Sequence, residues 1–173
     1  RHFRNLASPI TEAQPDLYID VQNAASMLFR LERLGVDVGS RWNEIADKAE
    51  TRIGDCLSPF TLPHWMMALA ATRRFEAGGR MLEAMRKYAT TAGTLNARLV
   101  ADYALPISEA VLLRAKGEPA AAVRIMRPSI GGMYRLGGSH AQQDVLEQLF
   151  LDCAVPAGSN DDVPLILARV AGR

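Results

Sequence analysis

Helix-length apolar stretches in this chain meet short turns and resume at once as second amphipathic stretches. The clearest case is residues 107–127, ISEAVLLRAKGEPAAAVRIMR, which reads as helix, turn at Lys116-Gly117-Glu118, then helix. Similar joints fall at residues 71–82 (ATRRFEAGGRML) and 153–167 (CAVPAGSNDDVPLIL). The joints recur about every 40 residues, the spacing of stacked helical hairpins. Such an array presents a surface more often than it carries a reactive centre.

Composition agrees with packed helices. Of 173 residues, 49% are hydrophobic but only 6% aromatic, so the apolar positions are mostly Ala, Leu, Met and Val. Ala, Leu and Met favour helices over a β-sandwich. The 20 basic and 19 acidic residues are interspersed, with no basic stripe to hold a nucleic acid. No apolar run approaches the ~20 residues of a membrane span. Cys56 and Cys153 lack metal-ligand spacing and read as reduced thiols of a cytoplasmic protein. Both ends look cut, so a fragment of a longer protein is expected.

Periodicity and punctuation predict an all-α fold of about eight helices in antiparallel pairs, covering about 15–54, 61–91, 95–127 and 139–171. Residues 1–14 read as irregular or frayed, and 15–173 as a single helical-repeat domain. In the first helix Leu17, Val21, Ala24, Leu28 and Leu31 make one stripe, closed by Gly35. Ser40, Thr61 and Ser139 stand where N-caps belong. Pro106 falls inside a long helix and predicts a kink or restart there. Arg80-Met81-Leu82 and Arg124-Ile125-Met126 occupy equivalent places on second helices, as Gly117 and Gly158 do at turns. Their spacings exceed the ~34 residues of a tetratricopeptide repeat, so the unit reads as a longer-helixed relative. The expected architecture is a tetratricopeptide-like α-solenoid, a right-handed superhelical stack.

Four segments go beyond generic patterning. Residues 26–42 (SMLFRLERLGVDVGSRW), 59–71 (PFTLPHWMMALAA), 102–128 (DYALPISEAVLLRAKGEPAAAVRIMRP) and 136–154 (LGGSHAQQDVLEQLFLDCA) resemble, in this order, the C-terminal part of the tetratricopeptide repeat protein 38 family. The most specific piece is 137–144, GGSHAQQD, although family members usually carry Arg where Gln143 stands. The resemblance implies a longer all-helical protein and supplies no catalytic residues. Its repeats imply partner binding by analogy.

The expected function is therefore a non-catalytic scaffold whose concave groove holds a peptide or helix of a partner protein. The groove would be lined by the first helix of each pair, which makes His64, Arg98, Asp102 and His140 the first candidates. A competing reading places a small-molecule or enzymatic pocket at GGSHAQQD, using Ser139, His140, Gln143 and Asp144. There the glycine pair would leave helix N-terminal amides open to an anion. The bland alternative is a tight turn, a Ser139 cap and close packing. His64 and His140 have no third ligand at metal spacing, so neither a metal nor a cofactor is expected. Loss of upstream repeats would expose the flank near Leu17 to Leu31, and a homodimer through it is expected.

Overall fold

The structure, a computed structural model, describes residues 18–90, 93–159 and 161–171. The expectations for residues 1–14, Pro15, Leu17 and Thr91 lie outside them. Every regular element among the described residues is helical. The elements are α1 (Tyr18–Arg33), α2 (Arg41–Thr51), α3 (Leu62–Ala71), α4 (Phe75–Ala89) and α5 (Leu95–Leu99). A π-helical turn (Val100–Ala104) then runs straight into α6 (Leu105–Ala115). There follow α7 (Pro119–Met126), short 3-10 turns at Arg127–Ser129 and Met133–Leu136, α8 (His140–Ala154) and α9 (Asp162–Ala171).

One backbone pattern recurs at four helix ends. Helices α1, α3, α6 and α8 are each followed by a residue with φ between +57° and +81°: Gly35, Arg73, Gly117 and Gly158. In each case its N–H reaches a carbonyl three residues back, and the next N–H reaches one five residues back. The pairs are Gly35 to Glu32 with Val36 to Leu31, Arg73 to Ala70 with Arg74 to Leu69, Gly117 to Arg114 with Glu118 to Leu113, and Gly158 to Val155 with Ser159 to Ala154. This double bond satisfies carbonyls that the last helical turn leaves open. Glycine suits the left-handed residue because it has no β-carbon to clash. Arg73 holds the same geometry without that freedom, its guanidinium 5.4 Å from the Phe75 ring centroid.

Each first helix packs on its following partner: α1 on α2, α3 on α4, α6 on α7 and α8 on α9. The first helices also touch one another in series, α1 to α3, α3 to α6 and α6 to α8. Helix α3 carries no charge and is buried from Leu62 through Ala70, because α1, α2, α4 and α6 all pack on it. Gly78 on α4 permits part of this. A β-carbon there would meet Leu112 Cδ1 at 3.0 Å and Met66 Sδ at 3.2 Å.

An open superhelix keeps its first and fourth hairpins apart, and here they meet. Helix α1 packs on α8 and closes the row of first helices into a ring. Arg30 pairs with Asp144 at 3.1 Å, and Arg33 with Asp152 at 2.7 Å. Arg114 of α6 takes the other oxygen of Asp152 at 3.0 Å. Among the described residues the facing sides of the first helices form core. Along the described part of the flank expected to be exposed, Val21, Ala24, Ala25, Leu28 and Phe29 are buried inside the chain.

Two expected caps also differ. Neither Ser40 nor Thr61 makes a side-chain cap bond. Thr61 Oγ1 instead accepts from Gln22 Nε2 at 2.8 Å, tying α1 to the start of α3. Ser139 does cap: it accepts from Gln142 N–H while the Gln142 side chain accepts from Ser139 N–H, a complete capping box.

Candidate functional site

The long helix expected to kink at Pro106 widens just before it. Proline has no N–H, so in an α-helix the carbonyl of Asp102 would lose its donor. The chain takes a π-helical turn instead, with Leu105 N–H reaching back to Val100 O. The Asp102 carbonyl is satisfied from outside: buried Ser129 donates its hydroxyl to it at 2.7 Å. Inserted turns of this kind recur at functional sites. Ser129→Ala is expected to lower stability by about 1 to 2 kcal/mol, because it orphans that carbonyl; urea unfolding measures the loss.

Beside this turn lies an open groove of about 560 Å³. It is lined by Leu95, Arg98, Leu99, Asp102, Tyr103 and, from the Met133–Leu136 turn, Arg135. The start of α5 is fixed firmly. Thr94 accepts from Ala97 N–H at 3.1 Å. The Asn96 amide donates to the Cys56 carbonyl and to Tyr88 Oη, both at 2.8 Å. Gly132 lies so close to Tyr103 that a β-carbon there would overlap the phenol. Arg98, Asp102 and Arg135 are exposed, and Leu95 is 72% exposed. Among the described residues neither Arg98 nor Arg135 reaches a carboxylate within 4.0 Å, unlike Arg30, Arg33, Arg74 and Arg114. Arg135 lies 5.9 Å from the Tyr134 ring centroid.

The remaining candidates are distributed elsewhere. His64 is not on a groove: it is fully buried in the first turn of α3. Its Nδ1 lies 2.8 Å from the Phe60 carbonyl, and a carbonyl only accepts, so Nδ1 carries the proton. Its Nε2 has no hydrogen-bond partner among the described residues. Burial pushes its pKa down to about 4, and the nearby Arg30 charge adds to this against the Phe60 bond. Gln143 spends its amide on the carbonyls of Gly137 and Gly138, each at 3.2 Å. Asp144 is held by Arg30 and Gln148. His140 is exposed at the first position of α8. In GGSHAQQD the side chains of Ser139, Gln142, Gln143 and Asp144 are thus engaged in capping and in fastening α8 to its surroundings. Neither cavity described in this section draws on that segment.

A second cavity of about 90 Å³ opens at one end of the ring, lined by Phe29, Glu32, Trp42, Val111, Arg114 and Leu149 among others. Its charges are engaged. Glu32 accepts from Trp42 Nε1 at 2.8 Å, and Arg114 holds Asp152 while lying 5.2 Å from the Phe29 ring centroid. Both cysteines are free and buried, and burial pushes the Cys153 thiol up to about 11, far from a reactive thiolate. Among the described residues no group of three or more His, Cys, Asp or Glu is placed to hold a metal ion. No described helix is long and apolar enough to cross a membrane.

No protein-family model matches the chain, and no solved structure matches it. The groove thus unites Arg98 and Asp102, two residues expected from the sequence, with Leu95, Leu99, Tyr103 and Arg135, which were not.

Proposed function

We propose that this chain is a non-catalytic interaction scaffold of tetratricopeptide type, related to the tetratricopeptide repeat protein 38 family. Its binding surface is the groove beside the π-helical turn, and its ligand is a segment of a partner protein. The observation that carries this reading is the groove itself. It lies within the range of ligand-sized pockets yet is open, and among the described residues neither Arg98 nor Arg135 has a carboxylate within 4.0 Å. The four matching helix stops at residues 35, 73, 117 and 158 support the hairpin-repeat assignment. The ring closure of α1 on α8 moves the binding surface off the inner wall to the flank of α5.

A photo-reactive amino acid at Arg98 tests the reading in the full chain. It is expected to trap a discrete protein adduct in cells, whereas the same group at Glu83, on the exposed side of α4, is expected to trap none. Arg135→Glu is expected to weaken the Arg98 adduct about fivefold or more, as loss of a charged contact at a partner surface does. The same adducts from both positions, or none from Arg98, refute the proposal.

A further inference from the structure

We infer that the occupant of the groove is an acidic segment bearing aliphatic residues, with its carboxylates seated between Arg98 and Arg135. This deepens the reading of the groove as a peptide site and rests on it. The argument begins with charge. Most of the arginines on the described surface are already neutralised at short range: Arg30 by Asp144, Arg33 and Arg114 by Asp152, Arg74 by Asp47 and Glu50, Arg86 by Glu109. Arg98 and Arg135 face a common cavity with no carboxylate within pairing distance. One anion, Asp102, shares that cavity, so its lining carries two positive charges against one negative.

The apolar half of the occupant follows from the rim. Leu95 is 72% exposed and Leu57 is 74% exposed. The Asn96 bond to the Cys56 carbonyl ties the loop before Leu57 to the start of α5. Leu99 continues the same helical face one turn on. Exposed leucines at one end and two guanidiniums along the cavity match a segment with aliphatic residues at one end and acidic residues further along. Arginine suits the task, because its planar fork meets a carboxylate with two parallel bonds. Exposed Asp102 would repel a misplaced acid and accept a backbone N–H, which sets register.

Three labelled synthetic peptides of about twelve residues provide the test, each with a leucine-rich end followed by a run containing one second residue: Glu, Gln or Lys. Binding to the full chain is read by fluorescence anisotropy, and its location by amide-exchange protection of residues 95–103. The Glu peptide is expected to bind about tenfold or more tightly than the Gln peptide, with protection of the groove and loss on raising salt. The double variant Arg98→Glu with Arg135→Glu is expected to reverse the order and prefer the Lys peptide. Equal binding of Glu and Gln peptides, or a preference for Lys by the unaltered chain, overturns this inference while leaving a peptide groove in place. Absence of protection at 95–103 with all three peptides overturns the groove as a peptide site, and the inference with it.

Discussion

Acidification from pH 7 to 4.5 is expected to destabilise the unaltered chain by about 2 kcal/mol more than it destabilises His64→Asn. His64 is fully buried, and its pKa falls from 6.5 to about 4 in the folded state. The unfolded chain therefore binds a proton between those values that the folded chain refuses. Stability from neutral His64 is complete above the unfolded value and drains away as pH falls toward the folded one. The cause is desolvation: an imidazolium in an all-apolar setting has no water, and here it also faces the positive Arg30. Asparagine keeps an N–H to offer the Phe60 carbonyl but does not titrate. Its absolute stability at pH 7 will be lower, because the smaller side chain leaves space beside Phe60. The readout is the difference in slope between the two chains in urea midpoints across pH, since carboxylates contribute equally to both. Parallel slopes would show that His64 is not buried in its neutral form.

The second large effect is expected at the start of α8. Gly138→Ala should destabilise the fold by about 3 kcal/mol, and Gly137→Ala by less, about 1 to 2 kcal/mol. Both glycines have positive φ, +83° and +90°, and at Gly137 the ψ of −161° places it where almost only glycine goes. The two differ in surroundings. A β-carbon at Gly137 meets nothing within 4 Å, whereas one at Gly138 falls 2.8 Å from Phe60 Cζ. Phe60 is itself buried, and its centroid is 5.0 Å from that of His64, so the ring has little room to retreat. Phe60→Leu should recover part of the Gly138→Ala loss in a double-mutant cycle and none of the Gly137→Ala loss. Equal losses at the two glycines would mean that α8 does not approach Phe60 this closely. The segment that looked most like a ligand loop in the sequence thus serves as a close-packed joint.

Elements were legible where the physics is local. Apolar stripes of α1, α2 and α4, the stop at Gly35, the Ser139 cap and the break at Pro106 all follow from neighbours within a turn or two. Ser40 and Thr61 show the limit of that logic. Thr61 had the right chemistry to cap α3, but a partner 39 residues away, Gln22, competed for its oxygen. Closure of the ring was invisible for the same reason. Nothing in the spacing of Arg30, Arg33, Asp144 and Asp152 says that they face each other. His64 was misplaced because its helix lacks an exposed side altogether, which depends on four other helices arriving around it. Of the groove, Arg98 and Asp102 were found from their place on a first helix, while Arg135 comes from a turn more than thirty residues on.

The clasp between α1 and α8 also governs how the molecule comes together and falls apart. Its hydrogen bonds join residues 111 to 120 positions apart, whereas bonds such as Gln22 to Thr61 and Asn96 to Cys56 join residues 39 and 40 apart. Closing so large a loop costs about 1 kcal/mol more in chain entropy than closing one of about 40 residues, and long-range joins slow the search for the native state. In return, α1 and α8 are expected to loosen together, so that the first and last helices of the closed row unfold with its middle in one concerted transition.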